Sequence, residues 1–170
     1  MILALKILAG FLMGAIPFAK LAMLGTGIDI TKTGSKNPGF NNVLRVTKNW
    51  WRAGVALIGD ISKGYVALLL LGPGEISASA LWFIAIAAVV GHCWSPFLKF
   101  NGGKGVATTV GVLLFLEPRI TLVCLPLYLK FGIGCDQLFL FKESVDDFIG
   151  RAIAADSHDR PRSSSDGVAS

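Results

Sequence analysis

The chain has 170 residues, of which 53% are hydrophobic and only 16% charged, against a usual charged share of about 25%. With a mean hydropathy of +0.62, that balance points to a membrane rather than to water. The net charge of +5 belongs to the membrane part: up to Lys130 there are twelve basic and four acidic residues, and beyond it four basic and seven acidic. No aromatic interleaving accompanies the basic residues, so a nucleic-acid partner is not indicated. Cys93, Cys124 and Cys135 are odd in number and unpaired in spacing, which supports neither a disulfide framework nor a zinc site.

Apolar blocks at about 1–24, 53–72 and 79–98 each approach the ~20 residues an α-helix needs to cross hydrocarbon. In the first, Lys6 precedes an apolar stretch, as in a signal peptide. Gly14, Pro17 and Lys20 interrupt that stretch, and no small-residue cleavage site follows, so a retained, bent span is expected. The polar loop from Thr26 to Arg52 far exceeds the ~4–6 residues of an ordinary connection.

That loop carries GSKNPGFNNVLR, Gly34 to Arg45. Turn formers cluster in solvated loops for ordinary reasons. The same residues can also floor a polar pocket, with Ser35 and Asn37 donating to oxygens and Arg45 gripping a phosphate bidentately. Val43, Leu44 and Val46 predict that the loop returns as a short helix capped by Asn41 or Asn42, and a helix start is itself an anion site.

The second span contains Asp60 and Lys63. Ionisable residues within a span are costly and face a bundle interior or an aqueous cavity. Their i,i+3 spacing allows a mutual ion pair that also braces a polar site. After a short turn with Glu75, the third span, Ala80 to Leu98, delivers His92 near its end. A histidine there serves as a structural hydrogen-bonder more often than as a base.

Next comes GHCWSPFLKFNGGKGVAT, Gly91 to Thr108. Gly102, Gly103 and Gly105 surround Lys104, a composition that lets backbone amides and an ammonium approach an anion, or that simply makes a connector. A mononucleotide P-loop is excluded, because Leu98 stands where its first glycine belongs and Gly105 follows the lysine. Lys32, Lys36, Arg45, Lys48, Arg52, Lys99 and Lys104 all fall in loops on one side, which the positive-inside rule makes cytoplasmic, with the N-terminus outside.

Two apolar pieces follow, Val106 to Leu116 and Ile120 to Leu129, divided by Glu117, Pro118 and Arg119. At 1.5 Å per residue each covers only ~15–17 Å, short of a full crossing. The expected architecture is therefore an all-α integral membrane bundle of about five spanning or partly spanning helices over residues 1–130. Residues 131–170 form a polar tail of disordered composition with one amphipathic helix near Ser144 to Ile153.

Both loop motifs together resemble the bacterial acyl-phosphate-dependent glycerol-3-phosphate acyltransferase family, the PlsY type. The first is similar to that family's Ser-Gly-Asn-x-Gly-Ala-Thr-Asn-x-x-Arg motif, departing at Lys36, Phe40 and Asn41. The second matches the family's glycine-rich motif over nearly its whole length. GAIPFAKL at 14–21 and the Asp60, Lys63, Gly64 pattern add to the likeness, which covers about residues 10 to 120.

The resemblance implies transfer of an acyl group from acyl phosphate to the sn-1 hydroxyl of glycerol 3-phosphate. The product is lysophosphatidic acid for phospholipid biosynthesis, made at the bacterial inner membrane without cofactor or metal. It also implies that Arg45 and Lys104 hold phosphate charge while Ser35 and Asn37 bond phosphate or hydroxyl oxygens. The amides around Gly102 and Gly103 would face a phosphate or the oxyanion; Asp60, Lys63 and His92 would support, and no nucleophile is assigned. The family lacks the His-x4-Asp motif of other glycerolipid acyltransferases; here Phe97 stands four residues beyond Cys93 and five beyond His92. The family's third motif, a His and an Asn followed by Arg-Leu, has no counterpart: His158 lies in DSHDRPRS, and the C-terminal part reads as divergent or truncated. Two other readings stay open at this point, a small transporter of a phosphorylated solute and an inactive family member.

Overall fold

Pro17 sets the shape of the first span. The helix α1, Ile2–Ala15, stops at Ile16, whose ψ of 120° is extended, because the ring of a following proline clashes with a helical predecessor. A short α2, Phe18–Ala22, resumes the direction, and Ile2–Ala22 together is long and apolar enough to cross a membrane. The computed structural model describes residues 1–74 and 77–126. The chain divides into two units, Met1–Val123 and Cys124–Ser170. The expected polar tail and its helix near Ser144 lie outside the described residues.

α3, Phe40–Thr47, is the short helix predicted within the long loop. Its cap differs from expectation: Gly39 is the N-cap, with no side-chain cap bond, and Asn42 does something else. Asn42 is buried; its amide donates to the carbonyls of Ile30 (3.1 Å) and Thr33 (2.9 Å), and its oxygen accepts from the Ser35 N–H (2.9 Å). One side chain thus ties three points of the loop to α3. Asn42→Ala should cost about 3 kcal/mol, because it strands buried backbone groups, and thermal unfolding in detergent measures it.

α4, Trp50–Leu71, is a full span. Asn49 caps it by accepting from the Trp51 and Arg52 N–H groups at 2.9 and 3.2 Å. Arg52 donates back to the carbonyls of Ala22 (2.7 Å) and Leu24 (3.0 Å), satisfying the end of α2. α5, Ala78–Cys93, leads through a tight turn at Pro96–Leu98, and Ala78–Leu98 is the third segment long enough to span. α6, Val106–Leu116, is a shorter apolar helix, and residues 118–126 are helical as well. These answer the two short apolar pieces of the sequence.

The packing is that of helices in lipid: small residues face inward and large apolar ones face out. Ala15, Ala53, Ala56, Ala67, Ala85 and Ala88 are buried, whereas Leu5, Val55, Ile58, Leu70, Phe83 and Ile86 are exposed. A Cβ on Gly14 would collide with the Ala88 carbonyl and one on Gly91 with that of Phe11, so α1 and α5 touch backbone to backbone. Gly64 against Thr108 and Gly111 against Ile61 make the same kind of seam between α4 and α6. In the first seam Gly10 meets Ile84 and Gly14 meets Ala88, so α1 and α5 run parallel. In the second, Gly64 meets Thr108 while Tyr65 meets Phe115 edge-on and Leu68 clusters with Val112, so α4 and α6 run parallel. The C-terminal ends of α1 and α5 and the N-terminal end of α6 therefore converge at one level.

Candidate active site

Breaking α1 at Pro17 leaves its last carbonyls without helical partners, and the neighbouring spans supply donors. Lys63 donates to the Ile16 carbonyl at 2.9 Å and the Ser95 hydroxyl to that of Ala15 at 2.6 Å. Asp60 pairs with Lys63 at 2.9 Å, each side chain only 3% exposed, as their i,i+3 spacing predicted. His92 Nδ1 lies 3.5 Å from the same Asp60 oxygen, a long contact for a hydrogen bond but a close electrostatic one. At 1.5 Å per residue Lys63 lies roughly 16 Å along α4 from Arg52, so this charged group is sunk well within the bundle. Pairing makes that placement tolerable. Ser95 has no part in the sequence expectations; the signal for it is Pro17, whose stranded carbonyls require a donor.

Above the ion pair the two motif loops meet. A Cβ on Gly103 would collide with His92 Nε2 and approach the Pro38 carbonyl to 3.0 Å. The Pro38 and Gly103 backbones are therefore neighbours, resting on the imidazole. Ile16, Pro38, Asp60, Lys63, His92 and Gly103 line a cavity of about 10 Å³, room for one water-sized molecule. Asn37 precedes Pro38 in the first loop and Lys104 follows Gly103 in the second, so two predicted phosphate ligands stand on touching segments. Lys104 is exposed and Ser35, Asn37 and Arg45 are half-buried. Arg45, in the last turn of α3, makes no ion pair among the described residues.

One expectation is corrected. The Gly102 and Gly103 amides were to face an anion; they donate instead to the carbonyls of Cys93 and His92, both at 3.1 Å. A Cβ on Gly102 would collide with the His92 carbonyl, so these glycines serve close approach: they let the loop lie flat on the end of α5. Gly105, at φ 82°, is the left-handed N-cap of α6, a conformation glycine adopts at no steric cost. Thr108, in the first turn of α6, is buried with its Oγ1 unpartnered among the described residues, and nothing in the structure explains it.

Lys36 occupies the left-handed region at φ 59°, where the family's motif has glycine. The departure therefore carries backbone strain. Lys36→Gly should raise stability by about 0.5–1 kcal/mol, the relief of a left-handed side chain less the entropy of an added glycine, read as a higher melting temperature. Nearby, the Asp29 carboxyl is held below its ordinary value, first by the Thr31 hydroxyl and then by the Thr31 N–H.

A helical membrane bundle whose two polar loops converge over a buried ion pair defines an integral membrane protein with a sunken polar site. The chain matches the family model described as glycerol-3-phosphate acyltransferase over residues 4–134, and it belongs to that family. Its relatives include the glycerol-3-phosphate acyltransferase of Neisseria meningitidis serogroup C (strain 053442), 45% identical over 129 residues, covering 73% of this chain and 64% of the relative. That of Thermus thermophilus is 43% identical over 124 residues, covering 73% and 62%.

Among solved structures, the fold is similar to the crystal structure of PlsY (YgiH), an integral membrane glycerol 3-phosphate acyltransferase, in its glycerol 3-phosphate form. The TM-score is 0.70 at 28% identity, covering 78% of this chain and 66% of that one. The lysophosphatidic acid form gives 0.67 at 29% identity, covering 76% and 64%. The chain thus spans slightly less than two thirds of the length of the relatives it matches.

Proposed function

We propose that this chain transfers a fatty acyl group from acyl phosphate to the sn-1 hydroxyl of glycerol 3-phosphate, giving lysophosphatidic acid for phospholipid biosynthesis. The observation that carries the reading is the meeting of the two motif loops at Pro38 and Gly103. Asn37 and Lys104 are brought to neighbouring segments there, and Ser35 and Arg45 belong to the first of the two loops. Both substrates carry a phosphate and one carries an apolar tail, so cationic donors at the end of a membrane bundle suit both. Arg45 and Lys104 hold phosphate charge, and Ser35 and Asn37 orient oxygens.

The acceptor hydroxyl attacks the acyl carbon, the bond from that carbon to the phosphate oxygen breaks, and the departing phosphate takes the hydroxyl proton. Acyl phosphate is already activated, so positioning and charge stabilisation suffice and no protein nucleophile is required. With Gly102 and Gly103 occupied by backbone carbonyls, Lys104 is the better candidate for stabilising the oxyanion. The basic loops lie on the cytoplasmic face of the bacterial inner membrane with the N-terminus outside. Residues 1–130 form the catalytic unit and 131–170 a polar tail. Relatives named as glycerol-3-phosphate acyltransferases, and a neighbour solved in glycerol 3-phosphate and lysophosphatidic acid forms, favour this over solute transport.

The test is acyl transfer to glycerol 3-phosphate by the purified full chain, offered palmitoyl phosphate or palmitoyl-coenzyme A. Lysophosphatidate from palmitoyl phosphate alone is the expected result. Product from the thioester at equal rate would refute the donor assignment, and solute flux in liposomes without any product would favour the transporter.

A further inference from the structure

The Asp60, Lys63 and His92 cluster lies beneath the loops that carry the proposed phosphate ligands. Its geometry asks for an explanation beyond mutual neutralisation. A buried ion pair between two residues of one helix is complete by itself, yet a third titratable side chain, from α5, is added on the Asp60 oxygen that Lys63 already engages. The carboxylate attracts the Nδ1 edge of the ring electrostatically, with Nε2 on the opposite side. On that side stands the backbone of Gly103, so close that no Cβ fits between them. The main-chain carbonyl of His92 accepts the Gly103 N–H at 3.1 Å. His92 therefore holds Gly103 twice, by its carbonyl and by its ring, and the next residue is Lys104.

We propose that His92 is a positioning residue: clamped by the Asp60–Lys63 pair, it seats Gly103 and so fixes where the Lys104 ammonium stands. The inference rests on the phosphate-holding role proposed for Lys104. It adds that the depth of the ion pair in the bundle sets the height of the loop above it. Gly103 lacks a side chain because the imidazole occupies that space, and the Pro38 carbonyl closes the other flank.

Two conservative substitutions separate this from a purely structural histidine. In His92→Gln the side-chain amide reaches the place of Nε2; in His92→Asn it reaches only that of Nδ1. Amide hydrogen exchange of the full chain in detergent, followed over residues 101–106 with α4 as internal reference, reads the seat of the loop without requiring activity. His92→Asn should speed exchange in that segment about tenfold or more, as the Gly102 and Gly103 bonds loosen, while His92→Gln stays within about threefold of the parent. α4 should be unchanged in both.

Acyl transfer supplies the second arm. His92→Asn should lower kcat/KM for palmitoyl phosphate about tenfold in the parent and have little further effect in a Lys104→Ala background, since it acts through that ammonium. Equal exchange in the two variants, or a rise shared by α4, would overturn the proposal and leave His92 as a holder of the bundle. Fully additive losses with Lys104→Ala would overturn it also. If the parent shows no acyl transfer, the function proposed above fails, and the exchange arm still decides the role of His92.

Discussion

Lys104→Ala is expected to lower acyl transfer by about a hundredfold or more, the scale for losing one preorganised charge contact to a developing oxyanion. Lys104 is exposed and follows a glycine whose backbone is fixed on α5. Truncating its side chain therefore removes charge without opening the core, and thermal stability in detergent should stay within about 0.5 kcal/mol of the parent. The pairing of the two measurements matters. A hundredfold loss at unchanged stability assigns Lys104 to the reaction, while a loss that tracks unfolding assigns it to the fold. Steady-state rates with palmitoyl phosphate and glycerol 3-phosphate, beside a melting curve for each protein, make the comparison.

The second large effect concerns stability. Asp60→Asn keeps the shape of the side chain but leaves the Lys63 ammonium buried without its counter-ion. Removing one partner of a buried pair costs about 3–5 kcal/mol, enough to unfold a marginal protein. Replacing both residues, Asp60→Asn with Lys63→Met, should recover part of that loss, because no unpaired charge remains. Recovery should be incomplete, since the Ile16 carbonyl then loses the donor that Lys63 provides at 2.9 Å. Thermal unfolding of the two variants in the same detergent tests the order: parent most stable, double variant next, single variant least.

The spans were legible because lipid enforces a simple rule: an apolar run near twenty residues, with every backbone group satisfied inside the helix. Pro17 as a bend, α3 as a returning helix and the Asp60–Lys63 pairing also followed from local spacing. What escaped depends on contacts between residues distant in sequence. Asn42 was offered as a helix cap, a local role, but its partners Ile30, Thr33 and Ser35 are set by how the long loop folds over α3. The glycines of the second loop were given amides for an anion. Only the placement of that loop on the end of α5 shows those amides bonded to Cys93 and His92.

Lys36 is an intermediate case. Its departure from the family's glycine was visible in the sequence, and the positive φ supplies the physical reason for the glycine. Ser95 was missed although its cause was in view: a proline that ends a helix within a membrane creates an orphan carbonyl, and a hydroxyl on a neighbouring span is the economical donor.

Equilibrium binding of radiolabelled glycerol 3-phosphate to the purified, monodisperse chain is the most direct measurement of the central claim, that the two loops form a phosphate site. It needs neither turnover nor an acyl donor. Saturable binding, weakened about tenfold or more by Arg45→Ala and by Lys104→Ala, is the predicted result. An absence of saturable binding in the folded parent, or binding that both substitutions leave unchanged, would contradict the site described.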